Sequence, residues 1–179
     1  ALFEALEAHT PEAADLGWLV ERALRVKIDV VEEDPYERGR RAVLNLGHTF
    51  AHALEVCADY QLRHGLAVSI GLAAAAHLAE IKGLCAAQTR QRIVATLQSH
   101  GLPTTWACAD VGAIYAAMST DKKRQGAQLR FVLPRAIGDV IISDDVAPAE
   151  VLAALGAVAA APAAGGGGGP ALPPPQGRA

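Results

Sequence analysis

The chain predicts a mainly α-helical domain carrying one short β-ribbon. Three observations point there. Ala and Leu dominate a sequence that is 51% hydrophobic but only 4% aromatic, a composition suited to helices packed closely on small side chains. Apolar residues recur at helical spacing in successive segments, each bounded by Gly, Pro or a capping residue. Only two short runs, Leu129–Leu133 and Gly138–Ile142, read as strands.

Residues 1–9 form a short amphipathic segment. Thr10 and Pro11 read as an N-cap and first helical residue, opening a helix in which Leu16, Leu19, Val20, Ala23, Leu24 and Val26 recur up to about Val31. Glu32-Glu33-Asp34-Pro35 stops it, because proline disfavours helix at the residue before it. Tyr36 to Arg41 is a polar connector. Arg40 and Arg41 lie just before the apolar residues leading into Asn45, either as a surface feature or as a fork for a carboxylate or phosphate. Further helices are expected over about 48–57, 65–81, 87–99, 111–118 and 148–158. Lys82-Gly83 ends the second of these and His100-Gly101-Leu102-Pro103 the third, a Gly-then-Pro stop. The charged segment 121–126 reads as a turn, and the two strands as a ribbon across a Pro134–Ile137 turn. The Gly/Pro-rich residues 161–179 cannot bury enough apolar surface to order themselves. The expected organisation is therefore one domain over 1–160 followed by a disordered tail over 161–179.

Composition excludes several functional classes. With 16 basic and 19 acidic residues the formal net charge is −3, which leaves no electrostatic footprint for nucleic acid. Cys57, Cys85 and Cys108 are odd in number and lack a CxxC spacing, so neither a disulfide framework nor a thiolate zinc site is expected, and a reduced, cytoplasmic setting fits. No signal peptide is visible. The longest apolar run, Leu66–Ala79, is short for a bilayer span and reads as a buried helix, so no membrane partner is expected.

The chemistry concentrates at Asn45-Leu46-Gly47-His48-Thr49-Phe50-Ala51-His52, followed by His64-Gly65. On a helix, His48 and His52 share one face a turn apart. A third imidazole after a turn suits a divalent metal of zinc type. Thr49 stands where HExxH would need Glu, which excludes that metalloprotease reading. From the residues alone, all three histidines could bind metal, or two could bind it while the third handles a proton or an anionic substrate. His9, His77 and His100 read as structural. Lys27, near the end of its helix, reads on physics alone as a solvated residue.

These residues resemble a known family. The run Lys27-Ile28-Asp29-Val30-Val31, then Glu33-Asp34, Glu37, Arg41, Leu44 through Glu55, His64-Gly65 with Ala67-Val68 and Ile70-Gly71, is similar to 3-dehydroquinate synthase. Gly101-Leu102-Pro103, Asp121-Lys122-Lys123, Phe131-Val132-Leu133-Pro134 and Ile137-Gly138 continue the likeness in order, over about residues 1–158. The resemblance implies the helical C-terminal domain of the dehydroquinate synthase-like fold. It implies an NAD- and metal-dependent carbon–oxygen lyase of the shikimate pathway, in aromatic amino-acid biosynthesis. That enzyme converts 3-deoxy-arabino-heptulosonate 7-phosphate to 3-dehydroquinate and phosphate. In that chemistry a ring hydroxyl is transiently oxidised, phosphate leaves by β-elimination, the ketone is reduced again, and ring opening with an intramolecular aldol step closes the carbocycle.

By matching position, the resemblance makes His48 and His64 ligands of a divalent metal, zinc or cobalt. It places His52 at the phosphate-bearing end or at a water near it, gives Lys27, Arg41 and Asn45 contacts to carboxylate, hydroxyls or phosphate, and brings Lys122 or Lys123 to the phosphate. Glu55 is a candidate support for this region. The family usually carries an acidic residue or Gln where Leu66 stands, which implies a local packing change. The chain shows no Gly-rich strand–turn–helix fingerprint. The NAD site and a third metal ligand, a Glu, are therefore expected from an N-terminal domain as partner, with the full-length enzyme a homodimer and this chain inactive alone. Two other readings stand beside this one: a sister sugar-phosphate cyclase, and a non-catalytic helical module acting with a separate NAD-binding chain.

Overall fold

The computed structural model of the chain describes residues 2–9, 16–36, 39–107, 110–124 and 129–160, with the backbone alone over 120–124. The architecture is mainly helical. Helices α1 (Leu2–Ala8) and α2 (Leu16–Glu33) lead through a 3-10 helix (Arg40–Asn45) into α3 (His48–Cys57), α4 (His64–Ile81) and α5 (Ala87–Ser99). Strand β1 (Trp106–Ala107), helix α6 (Val111–Arg124), strands β2 (Phe131–Ala136) and β3 (Asp139–Ser143), helix α7 (Pro148–Val158) and strand β4 (Ala159–Ala160) complete it.

Helix α4 is the centre. It packs against α3, α5, α7 and β2, and buries Ala67, Ser69, Ile70, Gly71, Ala73–Ala76, Leu78 and Ala79. Its length and hydropathy would pass for a minimal membrane span, but here they serve a helix surrounded by neighbours. The small side chains let those neighbours approach closely. The one buried hydroxyl on it, Ser69, donates to the Pro103 carbonyl at 2.7 Å, so its burial leaves no unmet donor. Phe50 of α3 meets Phe131 of β2 with ring centroids 5.4 Å apart, and Leu54, Leu133, Val151 and Leu155 join them in the core.

Helices α3 and α4 approach closely. Gly47, with φ +79°, caps the start of α3 in the left-handed region. A Cβ there would lie 2.8 Å from the Leu72 backbone nitrogen. A Cβ on Gly71 would overlap the Gly47 carbonyl oxygen and lie 3.1 Å from the Ala51 nitrogen. Both glycines are needed because backbone meets backbone.

Several boundaries differ from the sequence reading. Residues 121–124 continue α6 as helix; Lys and Arg are good helix formers, so charge alone does not end a helix. Pro134 lies inside β2, and the ribbon turns at Ile137–Gly138. The ladder tolerates the proline at a register shift between Pro134 and Ala136, a bulge of the kind that admits proline into strands. Arg40–Asn45 is a 3-10 helix, beginning inside the connector expected over Tyr36 to Arg41. The parallel pair of β1 with β4, Trp106 opposite Ala159, had no local signal. The expected N-cap at Thr10 and the tail over 161–179 lie outside the described residues.

Helix α2 is held loosely. Of its 18 residues only Val30 is buried, and Leu16, Val20, Leu24 and Ile28 are exposed.

Two glycine substitutions test the packing account. Gly71→Ala should lower the unfolding free energy by about 3 kcal/mol, the upper end of overpacking costs, because the groups it strikes are backbone and cannot rotate away. Gly156→Ala, on α7 with open space at its Cβ, should leave stability unchanged or raise it by up to about 1 kcal/mol through helix propensity. Urea denaturation of both variants checks the contrast.

Candidate active site

The Gly47–Gly71 crossing determines where the histidines fall. Phe50, Ala51, Ala53 and Leu54 turn α3's apolar face into the core. His48 and His52, at i and i+4, therefore occupy the opposite face. The α3–α4 turn then reverses the chain through Asp59 (φ 48°) and Tyr60 (φ 56°), both left-handed. That turn is closed by the Tyr60 amide donating to the Glu55 carbonyl at 2.8 Å. His64 opens α4 beside the first two histidines. The ring centroids are 5.3 Å apart for His48 and His64, 5.7 Å for His48 and His52, and 6.4 Å for His52 and His64.

The ring nitrogens are not equivalent. Nδ1 of His64 lies 2.9 Å from Glu55 Oε1, and Nδ1 of His48 lies 3.3 Å from the Leu46 carbonyl oxygen. Among the described residues, no three His, Cys, Asp or Glu side chains are arranged to hold a metal ion by themselves. The trio is thus a partial donor set. Two neutral imidazoles 5.3 Å apart suit one divalent cation of zinc type, provided further ligands come from elsewhere.

Two cavities flank His48 and share it. One, of about 570 Å³, is lined by Asn45, His48, Thr49, His52, Met118 and Arg130 among others. The other, of about 420 Å³, is lined by Lys27, Arg41, Asn45 and His48 with apolar neighbours. Lys27 is exposed and faces this second cavity. The arginine pair is divided: Arg40 binds Glu33 on the surface, while Arg41 lines the cavity. Arg41 Nη1 donates to the Pro35 carbonyl at 2.8 Å, and its amide donates to Asp34 at 3.0 Å. Lys27, Arg41, Asn45, His48, His52 and His64 are thus brought to one place. Lys122 and Lys123 lie in the last turn of α6 beyond Met118, and their side chains fall outside the described residues. Leu66 is half-buried in the first turn of α4.

Arg130 was not singled out in the sequence. It sits immediately before β2, and its carbonyl accepts from Thr49 Oγ1 at 2.9 Å, which ties the strand entrance to the first turn of α3. The only signal for it was a basic residue at the edge of an apolar strand, a common pattern. Two of the remaining histidines meet backbone carbonyls. His9 Nδ1 is 2.8 Å from the Ala5 carbonyl, and His100 Nε2 is 2.9 Å from that of Leu6. Burial, and then the nearby Arg90 charge, holds the half-buried His77 below the usual imidazole value.

A family described as 3-dehydroquinate synthase C-terminal matches residues 1–124. The 3-dehydroquinate synthase of Caulobacter vibrioides is 41% identical over 169 residues, covering 87% of this chain and 45% of the relative. That of Rhodopirellula baltica is 44% identical over 142 residues, covering 78% and 38%. The chain thus spans less than half the length of these curated relatives. Among solved structures, 2-epi-5-epi-valiolone synthase from Streptomyces hygroscopicus, with NAD+ and Zn2+ bound, superposes with a TM-score of 0.74 at 28% identity, covering 88% of this chain and 46% of that one. A 2-deoxy-scyllo-inosose synthase complexed with carbaglucose-6-phosphate, NAD+ and Co2+ shares the fold, with a TM-score of 0.67 at 21% identity over 76% of this chain and 39% of that one.

Thr49→Val keeps the shape of the side chain and removes its donor. Loss of the tie to Arg130 should cost about 1 kcal/mol and speed amide exchange at residues 129–131, read by hydrogen–deuterium exchange.

Proposed function

This chain belongs to the 3-dehydroquinate synthase family through its C-terminal domain, and on that premise we propose that it is the substrate- and metal-holding half of a 3-dehydroquinate synthase. The whole enzyme would be a carbon–oxygen lyase of the shikimate pathway, converting 3-deoxy-arabino-heptulosonate 7-phosphate to 3-dehydroquinate and phosphate. One observation carries the reading: His48, His52, Asn45 and the cations Lys27, Arg41 and Arg130 line two adjoining cavities, with the His64 ring packed beside His48. That arrangement suits a polyhydroxylated substrate with an anion at each end.

The roles follow from side-chain chemistry. The planar guanidinium of Arg41 and the ammonium of Lys27 take the substrate carboxylate in the smaller cavity. Asn45, which lines both cavities, offers a donor and an acceptor to ring hydroxyls. His52 and Arg130 face the phosphate-bearing end in the larger cavity, with Lys122 or Lys123 reaching the same end from α6. An imidazole there is suited to hand a proton to the leaving phosphate as the C–O bond breaks. His48 and His64 would hold a zinc or cobalt ion through their ring nitrogens. Bound together, the ion and NAD would supply Lewis acidity at the substrate hydroxyls and a reversible hydride acceptor. The further metal ligand and the NAD site belong to a partner half, supported by the incomplete donor set here and by relatives more than twice the length of the matched region. The near-complete exposure of α2 also supports a second body in the working enzyme, one expected to pair as a homodimer.

A sister sugar-phosphate cyclase is the second reading, favoured by the superposition on 2-epi-5-epi-valiolone synthase. Product analysis separates the two.

The expected outcome is that this chain alone releases no phosphate from 3-deoxy-arabino-heptulosonate 7-phosphate in the presence of NAD and zinc. Joined to the nucleotide-binding half of a relative, it should release phosphate and yield 3-dehydroquinate by mass spectrometry. Turnover by the isolated chain, or a different carbocycle from the joined one, overturns the proposal. In cobalt titrations followed by visible absorption, His48→Ala and His64→Ala should each lose most binding, while His52→Ala should keep it.

A further inference from the structure

The bond between Glu55 and His64 does more than join two helices. Glu55 lies on α3, seven residues after His48, and its side chain is only 15% exposed, whereas His64 is 57% exposed. A largely covered carboxylate therefore meets an open imidazole at 2.9 Å. An ionised carboxylate can only accept, so the hydrogen of a neutral His64 must sit on Nδ1. The Leu46 carbonyl, likewise acceptor-only, places the hydrogen of His48 on Nδ1 as well. Two unrelated acceptors thus select the same tautomer in two rings whose centroids are 5.3 Å apart, leaving both Nε2 lone pairs open to a shared cation. The two supports differ in strength: a neutral carbonyl at 3.3 Å against a carboxylate at 2.9 Å, the charge-assisted bond being the stronger.

We propose that Glu55 is the positioning residue of this site, its carboxylate fixing the ring orientation and tautomer of His64 so that Nε2 faces the metal. The proposal rests on reading His48 and His64 as the metal pair. The carboxylate also raises the basicity of the imidazole toward a cation, as partners of metal-bound histidines do. The left-handed Asp59–Tyr60 turn is what delivers His64 to this carboxylate, nine residues further along the chain.

The test begins with the metal-free 179-residue chain. Long-range 1H–15N correlation spectra, recorded at a pH where the ring is neutral, report which nitrogen of His64 carries hydrogen. The wild type should show Nδ1–H. Glu55→Ala should move the hydrogen largely to Nε2 and weaken zinc binding roughly 10- to 100-fold, the usual cost of removing such a partner. Glu55→Gln, whose amide oxygen still accepts, should restore the Nδ1–H form and most of the affinity, a rescue that a purely structural role would not produce. His64 carrying hydrogen on Nε2 in the wild type, or Glu55→Ala leaving both tautomer and zinc affinity unchanged, overturns the proposal. Zinc affinity unaffected by His64→Ala overturns the metal reading instead, and the tautomer measured without metal keeps the two failures apart.

Discussion

The close contact of Gly47 with Gly71 is the constraint on which the rest of the structure depends. It presses the start of α3 against α4 two turns beyond His64, with no side chain between the backbones. Because backbone meets backbone there, an approach this close leaves little freedom to slide or rotate. Phe50 and Leu54 then seal α3 against the core. Since helical geometry places i and i+4 together, sealing one face commits His48 and His52 to the other.

Around that frame the site is built by short, directed bonds more than by burial. Leu46 and Glu55 each take one nitrogen of a neighbouring imidazole. Thr49 fastens the entrance of β2, and Arg130 with it, to the first turn of α3. Asp34 and Pro35 hold Arg41 by its amide and its guanidinium. These bonds orient groups that remain at least partly open to solvent. The polar residues that pack the body are handled differently: Ser69 is fully covered and satisfied by Pro103, and Arg90 is paired with Glu80.

Much of the fold was legible in the sequence where local signals were unambiguous. The helices over 48–57, 87–99 and 148–158 stand where expected, because Gly47 and Pro148 mark starts and the His100–Pro103 run marks a stop by their own conformational limits. Reading failed where the signal was polarity alone. The charged residues 121–124 looked like a turn and proved helical, since charge by itself is no helix stop. Pro134 looked like a turn residue and proved to sit in a strand beside a bulge, because a ribbon leaves ladder positions where no donor is needed.

The sequence by itself determined the family, the helical class and the placing of His48 and His52 on one helical face, because composition, periodicity and the i, i+4 histidine spacing are local properties. Only the tertiary structure decided how those residues are used. It separated Arg41 at the cavity from Arg40 on the surface, brought Arg130 to a site 78 residues earlier in the chain at His52, and set Glu55 against His64. Each of these depends on how helices pack and how a turn is wound. Contacts between segments follow from the joint burial of many side chains, which no spacing along the chain encodes.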